Sequence, residues 1–229
     1  MITSADSVFL EQVIIRDNQS ENGGGIDCEY ANYVSISNSW INNNESNFEG
    51  GGIYINNVNY FEMYNNIISH NNSGDTHWGN GGGLYAFDTE NVILQNNTFA
   101  FNTTGDEHGA IYFDSWSDYS GTEWKSDSLL LFNNMFYDNS STGNPSNSDR
   151  DIGGSRHTIV AVSNYFDENE FVYRHEYERY NSNIFSERDP FINNSGNDFI
   201  LSDSSLAINA GTSSVNFGGN NINVPGTDC

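Results

Sequence analysis

The chain has 229 residues, 36% of them hydrophobic and 14% aromatic, with Gly, Asn and Ser abundant; that aromatic content excludes a disordered chain and suits short strands joined by many turns. Seven Lys plus Arg stand against 31 Asp plus Glu, a formal net charge of −24, which excludes nucleic acid and anionic membrane as partners because phosphate binding needs a basic stripe. No run approaches the roughly 18 apolar residues of a transmembrane helix, and the opening MITSADSVFLEQVII lacks the basic start and long apolar stretch of a secretory signal.

Six eleven-residue segments align without gaps: VFLEQVIIRDN (8–18), VSISNSWINNN (34–44), FEMYNNIISHN (61–71), VILQNNTFAFN (92–102), LLLFNNMFYDN (129–139) and IVAVSNYFDEN (159–169). Each ends in Asn, and successive closing Asn lie 26, 27, 31, 37 and 30 residues apart. A period near 27 is too long for a hairpin and right for one turn of a solenoid. Within the segment the first and third positions are apolar with period two (Val34 and Ile36, Val92 and Leu94, Leu129 and Leu131) and should point inward from a strand. The eighth position is always large and apolar, from Ile15 and Ile41 to Phe136 and Phe166, and should stack layer on layer. Cys28 falls at an inward position and reads as a small core residue. Cys229, the last residue, lies about five layers of about 4.8 Å away, beyond bridging distance unless the tail runs back.

Paired Asn at 65–66, 96–97 and 133–134, with Asn38 and Asn164 in register, fall where the strand must bend. Asn tolerates the left-handed backbone and can satisfy the next layer's freed backbone groups. A second element, Gly23-Gly24-Gly25-Ile26, recurs at 50–53 and 81–84 and as His108-Gly109-Ala110-Ile111. From its apolar residue to the next segment is eight residues in the first three copies and 18 in the fourth, which places an insertion within 115–127. Longer loops fall at 72–80 and 140–151.

Short strands with Asn ladders and a period in the high twenties resemble the right-handed parallel β-helix proteins. Pairing a GGxI element with an [I/F]xxN element resembles the polymorphic outer membrane protein repeats; Gly109-Ala110-Ile111, Phe99-Ala100-Phe101-Asn102, Phe136-Tyr137-Asp138-Asn139 and Phe166-Asp167-Glu168-Asn169 carry the likeness. The resemblance covers residues 8–169. It implies an all-β, single-stranded solenoid of the pectate-lyase-like superfold, with about six coils of about 27 residues over 1–169 and an irregular capping segment over 170–229, in one continuous domain. It also implies display outside a bacterial cell or on its outer surface, as part of a longer polypeptide. The fold hosts adhesins, lyases and hydrolases alike, so it decides no activity.

Asp27, Tyr54, Tyr85 and Tyr112 take outward positions on the Gly-led strand, one per layer. Three exposed tyrosines in register would form a platform for sugar rings or a protein partner; the structural alternative is that such aromatics only stabilise the sheet. His77 and Trp78 in one long loop, and Trp116, Tyr119 and Trp124 in the insertion, would wall a groove along that strip. A lyase would need a base and a cation, for which Lys125, Arg150, Arg156 and His157 are the nearby basic residues. A hydrolase would need paired carboxylates about 5–9 Å apart, with Asp88, Asp114 and Glu107 as candidates. Asp75, His77, Asp106 and His108 form a candidate metal set that matches no ligand motif, and calcium is the cation the Asp-rich loops would suit; no cofactor is firmly implied. The expected role is adhesin-like binding of a glycan or a cell-surface protein, with a carbohydrate-active lyase or glycoside hydrolase as the alternative. Finally, the outward positions Ile93, Leu130, Phe132, Val160 and Val162 make an apolar patch that either the 170–229 tail or the 115–127 insertion should cover.

Overall fold

The structure, a computed structural model, describes residues 1–74, 79–106, 108–115, 128–142, 151–154, 158–167, 178–186, 188–193, 198–217 and 220–223. Among them there is no helix, and the chain is a parallel β-solenoid. Each full coil contributes one strand to each of four parallel sheets, here A to D. Sheet A stacks Ile2–Thr3, Ile26–Glu29, Ile53–Asn56, Leu84–Phe87, Ile111–Asp114 and Ile152–Gly154. Sheet B follows with Ser7–Glu11, Tyr33–Ser37, Tyr60–Tyr64, Asn91–Gln95, Ser128–Phe132, Thr158–Val162 and Glu178–Asn181. The strands of sheet C are Ile14–Arg16, Trp40–Asn42, Ile67–Ser69, Thr98–Ala100, Met135–Tyr137, Tyr165–Phe166 and Ile184–Phe185. Sheet D holds only two-residue strands, from Gln19–Ser20 to Ser140–Ser141. Five coils carry all four strands, so the solenoid has about five complete turns rather than six.

The register is the one that hydrophobic patterning demands. Val8, Val34, Phe61, Val92, Leu129 and Ile159 lie in line across sheet B. Ile15, Ile41, Ile68, Phe99, Phe136 and Phe166 do so across sheet C. From the second coil on these side chains are buried and merge with Cys28, Ile53, Leu84 and Ile111 into one core. Phe99, Phe136 and Phe166 stack almost flat, with ring centroids 5.4 and 4.9 Å apart. Burial, with the charges of Asp27 and Glu29, pushes the Cys28 thiol above its ordinary range, so it packs as an inert apolar group.

The paired Asn divide the work of the corner between sheets B and C. The first of each pair, Asn65, Asn96 and Asn133, takes the left-handed backbone at φ 53–58°, as does Asn38 at 50°. The second satisfies the neighbouring coils: Asn97 donates from its backbone N–H to Asn134 Oδ1 at 2.9 Å, and from Nδ2 to the same oxygen at 3.1 Å and to the Met63 carbonyl at 3.0 Å. Asn44, Asn71, Asn102 and Asn139 build an equivalent ladder between sheets C and D, which ends where Asn139 Nδ2 donates to Asp151. Buried amides with every bond made are stabilising, whereas one unpaired would cost more than it contributes. The glycine element is equally constrained. A Cβ on Gly51 would come within 2.4 Å of the Asn72 backbone, and one on Gly82 within 2.3 Å of the Thr103 carbonyl oxygen, so only glycine lets consecutive coils approach there.

The coils continue past residue 169. Glu178–Asn181 pairs in register with sheet B, Ile184–Phe185 extends sheet C, and Asn183 joins the amide ladder through Asn164. The segment after it turns back along the outside of sheet C. Phe191, Phe199, Leu201 and Ala207 pack with Ala100, Met135, Tyr165, Phe101 and Tyr137, and Thr212 exchanges two hydrogen bonds with Asn133, at 2.8 and 2.9 Å. The apolar patch on sheet B is a separate cluster in which Leu130, Phe132 and Val160 are buried. These tail residues therefore do not cover it; the aromatic-lined face of sheet C, with Phe101 projecting from a left-handed corner (φ 57°), offers the larger rings a closer fit. Apart from Ser115, the 115–127 insertion lies outside the described residues.

Candidate functional site

Sheet A places Asp27, Tyr54, Tyr85 and Tyr112 in one outward row, as their spacing requires. The tyrosine rings stack at 5.6 and 5.4 Å with planes within 2° and 4° of parallel. The row is not the exposed platform expected from the sequence: Tyr54 is 6% and Tyr85 4% accessible. Rings stacked at contact distance cover one another's faces, Phe87 closes on Tyr85 at 6.1 Å, and the His108 ring closes on Tyr112 at 5.3 Å. The Tyr85 hydroxyl faces Glu49 and favours its charged form, but burial outweighs it. Burial, reinforced by the charges of Glu49 and Asp114, holds the Tyr85 phenol far above its usual range, and Tyr54 is displaced the same way by burial and Glu49. Burial also raises the Glu49, Asp27 and Glu29 carboxyls. The result is a packed aromatic column edged with acids that ionise reluctantly.

The remaining expected residues divide. Asp88 occupies a left-handed corner (φ 47°), and its N–H donates to the Asp114 carbonyl at 3.0 Å, so these two candidates sit in consecutive coils beside the tyrosine column. Asp114 Oδ1 accepts the Ser115 N–H at 2.9 Å. His108 stands where earlier coils have Gly23, Gly50 and Gly81, with the same left-handed φ (59°), and its buried ring lies against Gly153, where a Cβ would come within 1.8 Å of it. The Asp106 N–H donates to the Gly79 carbonyl at 2.9 Å. Among the described residues no group of three His, Cys, Asp or Glu is placed to hold a metal ion. Asp75, His77, Trp78, Glu107, Trp116, Tyr119, Trp124, Lys125, Arg150, Arg156 and His157 lie outside the described residues.

A groove that the sequence reading did not single out runs between the outer face of sheet C and the returning C-terminal segment. It has a volume of about 630 Å³. One wall repeats a pair of positions in every coil: the corner residue and the first outward residue of the sheet C strand, as in Asn38 with Trp40, Asn65 with Ile67, and Asn96 with Thr98. Phe191, Phe199 and Leu201 form the opposite wall. Trp40 is half-buried; its indole N–H reaches Ser69 Oγ at 3.4 Å and its ring meets Phe199 edge-on at 6.5 Å. The groove is open at its N-terminal end, where Ile14 is 67% accessible, and closed at the other, where Met135 and Tyr165 are buried under the tail. Among the described residues no carboxylate, imidazole, lysine or arginine lines it. The signal was present in the sequence: the residue two after each corner is Ile14, Trp40, Ile67, Thr98 or Met135, uncharged in five successive coils of a chain with 31 acids.

No family model, curated relative or solved structure matches this chain. The likeness to outer membrane protein repeats therefore rests on the GGxI and FxxN elements alone.

Proposed function

We propose that the chain is a non-catalytic, adhesin-like binding solenoid, displayed outside the cell, that holds an elongated glycan or surface partner in the groove between sheet C and the C-terminal segment. One observation carries this reading: an apolar and amide-lined groove, with no charged side chain among its described residues, persists on a chain of net charge −24. Surface left to drift on such a chain would be acidic, whereas a mostly apolar concavity with a few polar groups is the usual form of a ligand site. Of the carboxylates expected to serve a hydrolase, Asp88 and Asp114 sit beside the tyrosine column of sheet A instead. This supports binding over turnover.

A glycan and surface-protein array probed with wild type and with W40A, combined with a reducing-end release assay, tests the reading. Binding that depends on Trp40, with no release of reducing ends, is expected. Binding unaffected by W40A sinks the groove, and release of reducing ends revives the enzyme alternative.

A further inference from the structure

Building on that reading of the groove, we infer that its ligand is an uncharged, extended polysaccharide laid along the solenoid axis with about one sugar residue per coil. The wall repeats at the spacing of parallel strands, about 4.8 Å, which is close to the advance of one pyranose residue in an extended chain. At each repeat it offers an apolar surface beside an amide. A pyranose ring has the matching form, with an apolar C–H face and a rim of hydroxyls.

The Asn65 amide has a donor left to give, whereas Asn133 uses both of its own on Asn96 Oδ1 and the Thr212 carbonyl, at the closed end. Asn65 Nδ2 donates one hydrogen to Asn38 Oδ1 at 2.7 Å. A primary amide carries two N–H groups, so a second remains for a sugar hydroxyl. Asn65 is exposed. Trp40 supplies the large aromatic face of the sheet C wall in the open half, and its contacts with Ser69 and Phe199 orient the ring before any ligand arrives, which lowers the ordering cost of binding.

Charge decides between saccharides. A uronate or sulfated chain would need Arg, Lys or a bound cation against each anion, and the described lining has no basic residue. A neutral chain meets no such penalty. An extended peptide would present its own unpaired N–H and C=O groups, and the side-chain lining offers no strand edge to receive them. The open N-terminal end at Ile14 and Trp40 is the entry, and the tail over Met135 and Tyr165 is the stop.

Isothermal titration of the full chain tests this, using length series of neutral β-1,4-glucan, β-1,4-mannan and β-1,3-glucan oligosaccharides, an oligogalacturonate, and a neutral extended peptide. One neutral series should bind, with affinity rising up to about four residues, one for each open coil from Ile14 to Thr98, and unchanged by added salt. W40A should weaken it about tenfold, while W40F, which keeps a ring, should retain most of the affinity. If the oligogalacturonate or the peptide binds more tightly in a Trp40-dependent manner, the neutral-glycan inference is overturned and the groove stands. If every neutral series fails to bind, the inference is overturned whatever the array shows. Loss of Trp40 dependence for every probe overturns the groove as well. Thermal unfolding of W40A and W40F, each close to wild type, excludes misfolding as the cause.

Discussion

The outward faces of sheets A and C both carry aromatic residues, yet only one of them leaves space for a ligand. On sheet A three identical residues repeat, so their rings stack flat at 5.4–5.6 Å and close the face. On sheet C the equivalent outward positions are Ile14, Trp40, Ile67, Thr98 and Met135, which differ in size and cannot interdigitate into one column. The tail that covers sheet C fits over its C-terminal half and leaves a groove along the rest. Identity along a ladder produces a seal, whereas variation along it produces a cleft. A row of tyrosines in a solenoid is thus weaker evidence for a binding platform than a row of unlike uncharged residues.

The largest expected effect tests what both faces depend on. Replacing Asn102 by Ala strands the Asn71 N–H and the Ile68 carbonyl in the core, and should cost about 4 kcal/mol in urea denaturation; a cost below about 1 kcal/mol would mean that the ladder is not what holds the coils. Next, Y85A removes the middle ring of the column and should lower stability by about 3 kcal/mol, while ligand binding in the groove stays unchanged at a temperature where the variant is folded. If Y85A abolished binding, the division of labour between the two faces would collapse.

W40A reverses that pattern, with about a tenfold loss of affinity and less than about 1 kcal/mol of stability. The smallest effect concerns pH and compares the acids of the two faces. Asp167, on the sheet C side, is held at about 6 mainly by burial, with the neighbouring Asp138 charge adding to it. A carboxyl raised in the folded state binds its proton more tightly there than when unfolded. Its contribution is therefore fully present below its ordinary value of 3.8 and is lost as pH rises through about 6. The melting temperature should rise on acidification from pH 7 to pH 5, and D167N should flatten that slope and stabilise the protein at pH 7 by about 1 kcal/mol. E49Q, on the tyrosine column, should act in the same direction, because the Glu49 carboxyl is raised as well. A slope unchanged by both variants would place the pH dependence in the overall charge.

Much of the architecture was legible because the repeat constrains each position locally. Period-two apolar residues could only point inward, and an Asn before a second Asn could only mark a corner. The sheet D strands were not legible, since two residues such as Thr103–Thr104 are too short to show a period. The continuation past residue 169 was legible in principle: Ser182-Asn183-Ile184-Phe185 repeats Ser163-Asn164-Tyr165-Phe166, but only 19 residues separate the two ladder Asn, well short of the period of the earlier coils. The tyrosine row was correctly aligned and wrongly exposed. Accessibility depends on the rings stacked from the neighbouring coils and on whether Phe87 and His108 fold over them, and the alternation of inward and outward positions reports neither.

From the sequence alone came the solenoid, its register, its amide corners and the glycine approach points, because each is set by the chemistry of residues one coil apart. Tertiary structure alone decided which outward face is sealed and which is open. That choice depends on where Phe191 and Phe199 come to rest, and a tail without a repeat settles by the fit of its rings against the face that offers a gap for them.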